Sequence, residues 1–166
     1  MNTIRLHELL GLRDLPSSGL AWNDLLLERL EQKALRVLAH HLGVTTQDLT
    51  DLVLDAPLEE GARLPRHVSD FMYRIARALR QLETAKGGDV EAAALWLRAV
   101  QPELKGRIPI LLLQTSVGTE YVMTAIGRMK PPVVLVDENV DSAVADPEAG
   151  DTAQSDEADE RDAPTA

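Results

Sequence analysis

Apolar residues recur at three- and four-residue steps along most of the first 130 positions, which predicts helices throughout and an all-α fold. Leu6, Leu9 and Leu10 hint at one short helix, with Gly11 weakening the pattern and Pro16-Ser17-Ser18-Gly19 breaking it. Residues 1–22 thus read as an arm that packs either on the body or on a partner copy. From Asn23, the positions Leu26, Leu30, Ala34, Val37, Leu38 and His41 keep helical spacing up to Gly43, a good C-terminal stop. Thr45 and Thr46 offer caps for a short helix from Gln47 to about Leu54, with Leu49, Leu52 and Val53 turned inward. Helix, turn, short helix is the opening of a helix-turn-helix. A long helix over Ser69–Ala85 places Phe71, Ile75, Ala78, Leu79 and Leu82 on one face, and Arg74, Arg77 and Arg80 at polar positions.

Gly87-Gly88 ends that helix and separates two lobes, 23–86 and 87–130. Asp89 is a natural N-cap for a helix whose face reads Val90, Ala93, Ala94, Leu97. Pro102, Gly106 and Pro109 then punctuate an ordered connector, since none of them suits a helix interior. Thr115 or Ser116 caps a last helix with Gly118, Val122, Ala125, Ile126 and Met129 on one face. Gly118 there removes a side chain where another backbone comes close. Met129-Lys130-Pro131-Pro132 ends the pattern, and residues 131–166 form a final segment. Within it, Val133–Val136 is a short apolar run that either docks on a partner or tethers against the protein's own body.

Charge changes the picture once it is located. The net charge is −10, but residues 137–166 hold 11 of the 27 acidic residues and a single base, Arg161. The first 136 residues are neutral, so the acidity belongs to a tail. That tail has almost no large apolar side chains to offset its ordering entropy, and the expectation is disorder. Aromatics are scarce, at two Trp, two Tyr and one Phe, so Leu and Ala carry the core, which suits helices. There is no cysteine, which excludes disulfides, thiolate metal sites and cysteine nucleophiles. The start lacks the apolar core of a secretory signal and no stretch approaches a membrane span, so a cytoplasmic protein is expected.

Trp96, Leu97, Leu104, Gly106, Pro109, Leu112, Thr115, Gly118, Val122, Ile126 and Arg128 follow a recognisable order. The stretch resembles the C-terminal toxin-binding domain of the Xre/MbcA/ParS antitoxin family, whose pattern is roughly A-x-x-W-L, L-x-G, P-x-x-L-L-x-T, x-x-G-x-x-x-V and L-x-R. One departure is visible: Val100 stands where the family often has proline, and this chain's proline follows at Pro102. Upstream, Leu64, Ser69, Asp70, Arg74 and Ala76 fall where the family's Xre-like helix-turn-helix region reads L, then S-D-x-x-x-R-x-A. Taken singly, Trp96, Leu97, Leu112, Val122 and Ile126 read as core residues, and Gly106, Pro109 and Gly118 as backbone geometry. The motif therefore identifies a domain better than a site.

The resemblance implies an antitoxin of a type II pair that binds a RES-domain toxin, an NAD-degrading enzyme, and blocks its active-site entrance. It also implies a homodimer or higher hetero-oligomer that represses its own operon. The sequence weakens the DNA part. Where the family's recognition helix shows T-L-x-x-R, this chain has Val53-Leu54-Asp55-Ala56-Pro57 followed by Glu59 and Glu60. Arg63 and Arg66 are the only nearby cations to meet phosphates. A stand-alone helix-turn-helix regulator, using the antitoxin-like domain for dimerisation, is the competing reading. Catalysis has nothing to rest on: His7, His40, His41 and His67 lack metal-ligand spacing, no serine sits in a nucleophile elbow, and no glycine-rich loop follows a strand. No cofactor or metal is expected.

Overall fold

In the computed structural model the described residues are 4–129, and among them every named element is helical. Val133–Val136 and the acidic tail lie outside the described residues. The elements are α1 (Leu6–Leu9), α2 (Gly19–Glu28), α3 (Lys33–Leu42), α4 (Thr46–Val53), α5 (Arg66–Ala85), α6 (Val90–Arg98), a 3-10 turn (Pro102–Leu104), α7 (Pro109–Leu112) and α8 (Ser116–Gly127). No helix among the described residues is long and apolar enough to cross a membrane.

The central element is α5. Its periodic face buries Phe71, Met72, Ile75, Ala78, Leu79 and Leu82, and α1, α2, α3, α6 and α8 all pack against it. The helix starts three residues earlier than its apolar pattern suggested, because Pro65 precedes it in an extended conformation. Gly87 and Gly88 do end it, both in left-handed conformations. Since α5 serves helices on both sides of that break, the described residues share one core.

The expected single helix from Asn23 to Gly43 is in fact two. Arg29 takes φ +70, ψ 139, a conformation costly for any residue but glycine, and the chain turns before α3. No glycine or proline marks the break; tertiary partners make it. Leu30 drops into the core, its N–H donates to the Ser69 hydroxyl at 3.0 Å, and its carbonyl accepts from Leu64 N–H at 2.8 Å. The Arg63 guanidinium donates to the carbonyls of Arg29 and Glu28 at 2.7 and 3.3 Å. Backbone groups that a continuous helix would have satisfied are satisfied elsewhere. Ser69→Ala should strand the buried Leu30 N–H and cost about 1–3 kcal/mol. Chemical denaturation would read this as a lower midpoint at an unchanged slope, and an unshifted midpoint would refute it.

The arm packs on the body. Leu6, Leu9 and Leu10 are buried against α3 and α5, and Ile4 N–H donates to the buried Glu83 carboxylate at 3.1 Å. A short turn joins α3 to α4. Gly43 closes α3 at φ +65, and Thr45 and Asp48 cap α4 reciprocally, with the Thr45 hydroxyl and backbone N–H holding the Asp48 carboxyl below its usual pKa. After α4 the chain is irregular up to Pro65, and the next helix is α5.

Of the two adjacent histidines on α3, His40 is exposed and His41 half-buried. Burial, and then the neighbouring His40, lower the His41 pKa against opposing pulls from Glu83 and Glu8. A depressed folded-state pKa means that the unfolded chain takes up the proton first. Stability is therefore full above the ordinary histidine pKa of about 6.5 and declines as pH falls through it towards the lower folded value. His41→Gln should flatten that decline in melting temperature measured between neutral and mildly acidic pH, and an unchanged profile would assign the slope to other groups.

Candidate functional site

The stretch from Asp89 to Met129 builds a small helical lobe on one side of α5. The Asp89 carboxylate accepts from Ala92 N–H at 2.8 Å and starts α6, which buries Ala93, Ala94, Trp96 and Leu97. The connector has more structure than its prolines and glycine suggested. Gln101 N–H donates to the Arg107 carbonyl and Gly106 N–H to the Gln101 carbonyl, both at 3.0 Å, which closes a loop around the 3-10 turn. Gly106 sits at φ +72, where a left-handed turn requires it, and Leu104 plugs the core from within the loop. Gln101 is buried, and its side-chain amide donates to the Trp96 carbonyl at 2.7 Å, capping the end of α6. Neither periodicity nor the family pattern had singled out Gln101.

Pro109 is not a helix breaker here. It occupies the first turn of α7, where its missing N–H costs nothing. Thr115 then caps α8, its hydroxyl accepting from Gly118 N–H at 3.0 Å. Gly118 lies against the backbone of Leu112: a Cβ built there would meet the Leu112 carbonyl oxygen at 2.0 Å. The close approach expected at this glycine is thus made by the chain's own α7.

Arg74 fastens this lobe to α5. Its guanidinium pairs with Asp70 one turn earlier and donates to the carbonyls of Gln114 and Leu113 at 3.3 and 3.5 Å, in the turn between α7 and α8. Ser69, Asp70 and Arg74, read as part of a helix-turn-helix pattern, therefore act structurally. Ser69 receives the Leu30 N–H, and Arg74 holds the α7–α8 turn.

Most of the eleven motif residues are interior. Trp96, Leu97, Leu104, Pro109, Gly118, Val122 and Ile126 are buried, Leu112 is half-buried, and only Gly106, Thr115 and Arg128 are exposed. The two residues read as phosphate contacts part company. Arg63 is committed to the end of α2, whereas Arg66 is exposed at the start of α5.

The accessible chemistry lies at positions the motif skipped. On α8 the buried face is Gly118, Val122, Ile126, and a separate exposed stripe on its flank is Val117, Tyr121, Thr124, Arg128, at the i, i+4, i+7, i+11 positions. Val117 and Tyr121 are 70% and 56% exposed, and Leu111 on the adjoining α7 is 47% exposed. A helix with exposed apolar residues beside its buried face is only partly satisfied by its own fold. The signal was present in Ser116–Met123, where Val117 and Tyr121 stand four apart and out of phase with the core positions.

Residues 78–130 match the family described as the antitoxin Xre/MbcA/ParS C-terminal toxin-binding domain. The match begins inside α5, at its inward-facing Ala78, so it takes in the helix on which the lobe is built. No curated protein matches the chain. The matched residues coincide with α6 to α8 and the part of α5 beneath them, so this lobe is similar to the C-terminal toxin-binding domain of Xre/MbcA/ParS antitoxins.

Proposed function

We propose that this protein neutralises a RES-type, NAD-degrading toxin by steric occlusion. In this reading α8 and the residues after Arg128 occupy the toxin's cleft, so that NAD does not enter. The supporting observation is the coincidence of the matched toxin-binding domain with an exposed α8 stripe whose apolar residues, Val117 and Tyr121, are largely open to solvent. Aromatic side chains exposed on a rigid helix are the usual anchors of a protein interface. The motif residues Trp96, Leu97, Leu104, Gly106, Pro109, Leu112, Thr115, Gly118, Val122 and Ile126 form the frame that presents this stripe, and Arg128 lies on it.

The test uses the gene encoded next to this one, expressed in bacteria with and without this protein while growth and cellular NAD are followed. NAD collapse that is relieved by co-expression supports the reading. A harmless neighbour, or toxicity left untouched, overturns it. In the same reading the protein self-associates and represses its own operon. DNA contact then falls to surfaces other than the turn after α4, where Asp55, Glu59 and Glu60 would meet phosphates. The stand-alone regulator keeps one supporting observation, the α3–turn–α4 pair, and predicts specific, steeply salt-dependent DNA binding by the protein without a toxin.

A further inference from the structure

Beside the last turn of α8 the surface holds a groove that the exposed Val117–Tyr121 stripe does not reach. It encloses about 550 Å³ where α1, α5 and the end of α8 meet. Its floor is apolar: Leu6 of α1 and Ile126 of α8 are buried, and Tyr73 of α5 and Met129 are half-buried. Its rim carries Arg77 and Arg80, both exposed on α5. Arg74 on the same helix pairs with Asp70, whereas neither of these two forms an ion pair among the described residues. Two unpaired cations over an apolar floor suit an occupant that is apolar along one stretch and acidic in the next.

We propose that this groove is a dock for the chain's own residues 133–138, with Val133-Val134-Leu135-Val136 on the apolar floor and Asp137-Glu138 on Arg77 and Arg80. Those residues lie outside the described ones, and three observations point to them as the occupant. The first is position. Met129, the last described residue, lines the groove itself, so the chain continues from the groove's edge. The second is composition. Within residues 130–166, Val133–Val136 is the one run of consecutive large apolar side chains, and two carboxylates follow it at once. The third is charge. Residues 137–166 carry −10 against a neutral 1–136, so the segment is complementary to a rim of free guanidinium groups.

The tether is long enough and short enough. Residues 130–136 span up to about 25 Å when extended, and α5 runs only about 17 Å from Tyr73 to Thr84 along the groove. Pro131 and Pro132 fix two φ angles of that tether before any contact forms, which lowers the entropy that docking costs. Closure is intramolecular, at an effective concentration on the order of millimolar, so a weak contact suffices. The apolar run supplies most of its strength, and the exposed ion pairs set its direction along α5. This self-contact has to open before residues 133–138 engage any other surface. Docking is a property of the chain alone and does not depend on the function proposed above.

Disulfide trapping in the full chain tests it, because the natural sequence has no cysteine to interfere. Val134→Cys is combined with Gln81→Cys, an exposed position lining the groove, or with Thr124→Cys, an exposed position on α8 that does not line it. In a dilute solution with a glutathione redox buffer, the first pair should close within one chain about tenfold faster than the second, or more. Arg77→Glu with Arg80→Glu should remove that preference, and adding Asp137→Lys with Glu138→Lys should restore it. The restoration separates lost docking from a lost fold. Equal closing rates for the two pairs overturn the dock. A disulfide that forms between chains, seen as twice the 18.2 kDa of one chain, gives the groove to a second copy's tail and overturns self-docking. A preference that survives the double glutamate substitution overturns the role of the two arginines.

Discussion

Replacing Gly118 with alanine, the smallest possible change, is expected to destabilise the protein by about 3 kcal/mol or more and to abolish neutralisation with it. The added Cβ would stand 2.0 Å from the carbonyl oxygen and 2.8 Å from the carbonyl carbon of Leu112. Neither is the end of a flexible side chain. The Leu112 carbonyl accepts from Thr115 N–H, and the next carbonyls, of Leu113 and Gln114, receive the Arg74 guanidinium, so the turn is held on both sides. Relief requires α8 to move off α7, which would break the Thr115 cap and lift Val122 and Ile126 from the core. For a chain of this size the loss corresponds to a fall in melting temperature on the order of 10 °C. Gly127→Ala is the matched control. It lies in the same helix with no atom within 4 Å of the added Cβ, so it should be neutral or slightly stabilising. A Gly118→Ala protein that melts with the wild type would show that α7 and α8 do not approach in this way.

The same residue shows what the sequence made legible. Helical periodicity located α5, α6 and α8, because their buried positions step with the helix and one face of each is spent on the core. It failed at Arg29–Gln32, where spacing continues across a break created by Ser69, Leu64 and Arg63, residues more than thirty positions away. A local window carries no trace of such partners. It failed again at Pro109, which was read as punctuation and in fact opens α7. In the candidate site the resemblance found the frame. Trp96, Leu104, Gly118 and Val122 have residue types set by packing and close approach, so a pattern built from them describes how the lobe is held. What that lobe presents to a partner depends on which side of α8 faces out, and that became definite only once Gly118, Val122 and Ile126 were seen to face in.

That outward side carries the second large effect. With the function proposed above, Tyr121→Asp together with Val117→Asp should weaken toxin binding by a hundredfold or more, since truncating a central aromatic anchor alone commonly costs about 2 kcal/mol or more. The substitutions also place two carboxylates where an apolar surface is to be desolvated, and an unpaired charge in a buried interface is costly. The fold should be spared. Both side chains are mostly exposed, and neither contributes to the face that packs on α5. The variant should therefore match the wild type in helical content and melting temperature, yet fail to restore growth and NAD when co-expressed with the toxin. This separates it from Gly118→Ala, which should lose neutralisation and stability together. The pair also discriminates between modes of contact. If the aspartate variant neutralises normally while Gly118→Ala does not, the lobe matters but its α8 stripe is not the contact. Leu95 and Val100, exposed on α6 and just past its end, would then be the next residues to substitute.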